Sequence, residues 1–287
     1  MDPSVARGGG KTPDSDARDC GQPDGLGAAA ATDPRSRHNG RRMTTFSALC
    51  SDFYINQKLG LKLDLPERRE TVLDLFDRIR RTFPRLSQFQ RYEGEVALES
   101  NTAEHDWQWV ALRQTSIRSG HVNPASMADA YQFHKAILEV APYFLSISPL
   151  DIDMLEVVFG FDFETEHDRD AIVFDALLSD SPLAGLVDAG FERVSEAQPA
   201  IAITLGEREE MQAVFEVRTR PRIPVAGDRG GDPISVFLTV RRFGPLASLD
   251  ELKEAFGAVI GHAEHLAEQR VIPNLVMPIH EAIQARG

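Results

Sequence analysis

The chain has 287 residues, 42% of them apolar and 26% charged, long enough and ordinary enough for one large soluble domain or two small ones. Its net charge of −13 and isoelectric point near 5.1 disfavour nucleic acid as a partner, because binding to a polyanion depends on basic contacts to phosphate. No apolar run approaches the roughly 20 residues that span a bilayer, and Cys20 and Cys50 alone make no disulfide framework, so no membrane partner and a reducing, cytoplasmic compartment are expected.

Residues 1–42 are rich in Gly, Ala, Asp, Arg, Ser and Pro and nearly free of large apolar side chains. They cannot offset the entropy of ordering and are expected to be a disordered tail, without the apolar core of a secretory signal. Met43 stands as a candidate start. Gly8-Gly9-Gly10-Lys11-Thr12 ends like a phosphate-binding loop, but Val5 occupies the place of its first Gly and no strand precedes it.

Residues 59–83 read as a short strand, LKLDLP, running into an amphipathic helix from Glu67 to Phe83. Val72, Leu75, Phe76, Ile79 and Phe83 form its buried stripe, and mixed charge covers the rest. Pro84 ends it. Two antiparallel strands follow, 88–99 and 107–118. Alternation places Arg91, Glu93, Glu95 and Glu99 on one face of the first, with Tyr92, Val96 and Leu98 on the other. In the second, Trp107, Trp109 and Arg113 share a face opposite Val110 and Leu112. Ser126 and Asp129 then cap a helix with the stripe Met127, Ala130, Tyr131, His134, Ile137, Leu138 and Ala141, ended by Pro142. A histidine in such a stripe reads first as a hydrogen-bonded core residue.

The opening unit returns loosely near residue 157, where Phe161-Asp162-Phe163 answers Leu63-Asp64-Leu65. Strand 152–164 leads to helix 168–178, then to strands 199–206, 211–220 and 234–243, with a Pro/Gly/Asp loop over 221–233 read as flexible. Ser248 and Glu251 form a capping box for a last helix with the stripe Leu249, Leu252, Phe256, Val259, Ile260, Ala263, Leu266 and Ala267, broken by Pro273 and Pro278. Each half therefore reads strand, helix, antiparallel strands, capped helix. This predicts an α+β fold: a single duplicated domain over 43–287, with repeats at about 46–148 and 149–287 and helices on one face of a continuous antiparallel sheet.

That order of elements resembles, in topology alone, the tandem TATA-box-binding-protein-like and helix-grip folds. The stretches FSALCSDFYINQKLGLKLDLP and SPLDIDMLEVVFGFDFE resemble conserved bacterial proteins of the planctomycete type. Neither resemblance implies an activity, a cofactor or a catalytic residue.

The chemistry-bearing patterns are sparse. His262, Glu264, His265, Glu268, His280 and Glu281 offer metal donors, but H-E-x-x-H is absent and the helical stripe turns His265 toward solvent, so neither a metal nor a cofactor is expected. G-x-S-x-G and G-x-G-x-x-G are also missing, and Cys50 reads as a buried inert thiol. The leading expectation is a non-enzymatic binding or protein-interaction module. It would use the open sheet face through Arg91, Glu93, Glu95, Trp107, Trp109 and Arg113, and through Glu216, Arg218, Arg220 and Arg241 in the second half, to hold a protein partner or a small polar ligand. A homo-oligomer is compatible. The alternative is a hydrolase-like or metal-dependent enzyme built on Glu93, Glu95 and Glu99 or on the C-terminal histidines.

Overall fold

The computed structural model describes residues 46, 48–66, 68–188, 190–206, 210–219 and 233–287. The β-branched and aromatic runs of the sequence build nine antiparallel strands in one sheet, ordered β2-β3-β4-β5-β1-β6-β9-β8-β7. These are β1 (Asp52–Leu61), β2 (Gln88–Tyr92), β3 (Glu95–Glu99), β4 (Trp107–Arg113) and β5 (Ser116–Val122) in the first half. The second half supplies β6 (Ile152–Phe163), β7 (Ala200–Leu205), β8 (Met211–Thr219) and β9 (Ile234–Phe243). The opening strand of each half lies at the centre, where β1 and β6 pair antiparallel with Tyr54 opposite Gly160 and Lys58 opposite Glu156. The last strand of each half flanks it.

Helices α1 (Arg69–Thr82), α2 (Met127–Phe144), α3 (Arg169–Leu177) and α4 (Glu251–Leu266) bury their apolar stripes in one large cluster with alternate strand residues such as Phe53, Ile55, Leu59, Phe159 and Val240. A smaller cluster on the opposite sheet face, including Tyr54, Trp107, Trp109, Val158 and Phe237, is built from strand residues alone. The architecture is α+β, as the periodicity predicts. Ser126 caps α2 by accepting from the Asp129 amide at 3.1 Å. Ser248 likewise accepts from Glu251 at 3.2 Å, while the Glu251 carboxylate takes the Ala247 amide at 2.6 Å.

Several local expectations are corrected. The first strand is Asp52–Leu61, upstream of LKLDLP, whose last residues form the loop into α1. Strand 88–99 is a hairpin turning at Glu93-Gly94, with Gly94 at φ +70° where a side chain would be strained. Strand 107–118 is likewise two strands, turning at Gln114-Thr115. Pro142 lies inside α2, whose last turn runs on to Phe144. Nor does Pro273 end the C-terminal helix. The chain passes through a π-helical stretch, Ala267–Val276, into α5 (Met277–Gln284), and the wider turn accommodates the missing donor.

Candidate functional site

On the helix-free face the antiparallel registers line up side chains in rows across the first half of the sheet. One row runs Tyr92, Glu95, Arg113, Ser116 and Gly60. The next runs Ala97, Ala111, Arg118, Lys58, Glu156 and Arg241, and a third Glu99, Trp109, Gly120, Asn56, Val158 and Thr239. Although these rows carry no described helix, their middle is buried: Glu95, Glu99, Trp109, Arg118, Asn56 and Glu156 are each less than a tenth exposed.

Burial of so many charges requires pairing. Glu95 Oε2 accepts from Arg113 Nε at 2.6 Å and lies 3.5 Å from Arg118 Nη1. The Arg118 guanidinium stands 5.6 Å from the centroid of the Trp109 ring. Tyr92 donates its hydroxyl to Glu99 Oε1 at 2.9 Å. Burial, opposed by the Tyr92 bond and aided by the nearby Glu95 charge, raises the Glu99 pKa. In the second half Glu156 pairs with Arg241, and Glu216 with Arg218 at 2.7 Å.

Three groups in this ensemble are left over. Glu95 Oε1, the Trp109 indole nitrogen and both amide atoms of Asn56 are buried without a hydrogen-bond partner among the described residues. Gly120 makes the last two possible: a Cβ there would run into the indole and come within 2.6 Å of Asn56 Oδ1. Beside the β2–β3 hairpin, where the sheet meets the N-terminal turn of α1, a cavity of about 710 Å³ opens, lined from both faces. Its apolar wall is Leu65, Val72, Leu73, Phe89, Val96 and Leu112. Its polar wall is Arg69, Arg91, Tyr92, Glu95, Arg113 and Gln114.

The predicted site residues are thus only partly together. Glu95, Trp107, Trp109 and Arg113 share the helix-free face, as do Glu216, Arg218 and Arg241. The tryptophans are not projecting anchors, because Trp107 is 8% and Trp109 1% exposed. Arg91 pairs with Val96 and so falls on the helix side, and Glu93 is an exposed turn residue; the two-residue turn reverses the parity assumed for a continuous strand. Arg220 lies outside the described residues. Asn56, Tyr92, Arg118 and Glu156 were missed. For Asn56 and Glu156 the available signal was a polar residue in an otherwise apolar run, out of phase with the core-facing Ile55 and Leu155, as in FYINQKLGL and LEVVFGF.

Elsewhere the chemistry is sealed. Ser119 Oγ lies 2.8 Å from His134 Nδ1, a nucleophile–base distance, but both residues are fully buried. His134 Nε2 donates to the Ile55 carbonyl at 3.2 Å, so Nδ1 takes the single Ser119 proton. Gln57 must then present its amide nitrogen to Ser119, and in that orientation its oxygen accepts from the Leu59 amide at 3.0 Å. His134 is a satisfied core residue. Cys50 is equally inert, its thiol pushed up to about 12 by burial and then by the charges of Asp162 and Asp52. His262 and His265 are exposed, and His280 Nδ1 lies 3.0 Å from the Leu49 carbonyl oxygen. Among the described residues, no three His, Cys, Asp or Glu side chains converge as metal donors, and no helix is long and apolar enough to cross a membrane.

No protein-family model matches the chain, and no curated protein does. Among solved structures it is similar to the di-domain ARO/CYC BexL from the BE-7585A biosynthetic pathway, at 9% identity and a TM-score of 0.19 over 82% of this chain and 99% of that one. A superposition that loose carries nothing from one protein to the other.

Proposed function

We propose that the protein is a non-catalytic binding module whose ligand site is the cavity between α1 and the β2–β3 hairpin. Its ligand is a small molecule with an apolar body and a hydrogen-bond donor at its head. The observation that carries this reading is Glu95. This wall residue has one carboxylate oxygen committed to Arg113 and Arg118, and the other buried with no partner among the described residues. Leaving a buried acceptor unmade costs about 1–3 kcal/mol, a cost that a bound donor removes once the cavity wall at Glu95, which is 4% exposed, shifts to admit it. Two arginines already balance the Glu95 charge, so a neutral hydroxyl or amide serves as well as an ammonium. Leu65, Val72, Leu73 and Phe89 supply the apolar contact, and the volume falls within the roughly 300–1,000 Å³ of small-molecule sites.

The arrangement disfavours carboxylate catalysis. Glu95 and Glu99 are four residues apart on one strand, about 13 Å between Cα atoms, and each already holds a partner. A thermal-shift screen of small molecules with apolar bodies and amine, amide or hydroxyl heads tests the site. At least one is expected to raise the melting temperature of the wild type and to shift Leu73→Trp, which narrows the cavity, by less. Absence of any hit, or equal shifts in Leu73→Trp, defeats the reading.

A further inference from the structure

The two outer edges of the sheet are not alike. At one end β2 carries Gln88, Gln90 and Arg91, and its Phe89 ring packs against Phe76 of α1 at 5.8 Å. At the other end, among the described residues, β7 pairs with β8 alone, in uninterrupted register from Ala200 opposite Glu216 to Leu205 opposite Met211. Its sequence, AIAITL, has no charge, no proline and no bulge. These are the devices that keep an edge strand from pairing with another chain. The edge is also bare: Ala200, Ile201, Ala202 and Thr204 are exposed, Ile201 at 63%.

We infer that β7 is the contact through which two copies of this chain join, antiparallel, into one continuous sheet. Charge argues for this location, and the pattern of the strand for this occupant. Copies that each carry −13 repel wherever acidic surfaces meet, whereas residues 197–206 hold no charged side chain. The strand is also complementary to itself. Antiparallel partners directly opposite one another lie on the same face, so a two-fold axis at Ile203 sets Ile203 against its own equivalent and Ile201 against the partner subunit's Leu205. The helix-side row Ile201, Ile203, Leu205 then continues across the junction, and the small Ala202 and Thr204 meet on the other side. A two-fold contact of this kind closes on itself and needs no second surface. It is independent of the ligand cavity, which lies in the other half of the sheet.

Sedimentation equilibrium of the full chain at micromolar concentrations tests it. The wild type is expected at twice the 31.8 kDa chain mass, and Ile201→Lys and Ala202→Lys, both at exposed positions, at 31.8 kDa with unchanged far-UV circular dichroism. Gln90→Lys on the opposite edge is expected to stay dimeric. A monomeric wild type overturns the inference, as does a dimer that survives both β7 substitutions or is lost in Gln90→Lys.

Discussion

His134 is fully buried between Ser119 and the Ile55 carbonyl, and its pKa is lowered from 6.5 to about 3 by burial first and by the nearby His121 second. The folded state therefore holds the neutral ring and disfavours the proton that an unfolded histidine accepts. Its contribution to stability is complete above pH 6.5 and declines as pH falls from 6.5 toward 3. The slope is at most about 1.4 kcal/mol per pH unit. Urea unfolding across this range should show His134→Gln losing less stability on acidification than the wild type. Parallel curves would mean that the ring is not held neutral. This residue was legible in the sequence, because a histidine in phase with Ala130, Ile137 and Leu138 has to be buried. Its partners were not, since Ser119 and the Ile55 carbonyl lie on two different strands whose placement beside α2 no local pattern encodes.

Helix elements were the easiest to read, because α1, α2 and α4 each carry a long stripe at a 3.6-residue period. Hairpins were harder. The turn at Glu93-Gly94 had its glycine, but alternation on either side of a two-residue turn looks like one unbroken strand, and Arg91 was placed on the wrong face as a result. Gln114-Thr115 gave no turn signal at all. Two strand glycines make an element-scale prediction. Trp109 lies over Gly120 and Tyr54 over Gly160, each aromatic directly across from its glycine. A methyl group at either place meets the ring. Gly120→Ala and Gly160→Ala should each destabilise by about 1–3 kcal/mol in chemical denaturation. Gly257→Ala in α4, with nothing near its added carbon, should instead stabilise by about 0.5–1 kcal/mol. Equal effects at all three positions would remove the aromatic contacts as the reason for the strand glycines.

Across the whole molecule, the element order of each half led to the right layers, with helices on one side of a continuous antiparallel sheet. What composition and periodicity could not supply was the content of the other side. An acidic chain with alternating strands suggests a solvated face. Here the same alternation gives buried Glu–Arg pairs, because Glu95, Arg113 and Arg118 come from three adjacent strands whose register no local pattern encodes. The cavity was hidden for the same reason. It forms where α1 meets the hairpin, from side chains on both faces of the sheet. Its central claim, a ligand held at Glu95, is tested most directly by native mass spectrometry of the protein isolated from its own cells. The prediction is a retained small molecule on the wild type, released on gentle activation and depleted on Leu73→Trp. A wild-type chain that carries no adduct, or an adduct equally present on Leu73→Trp, would contradict it.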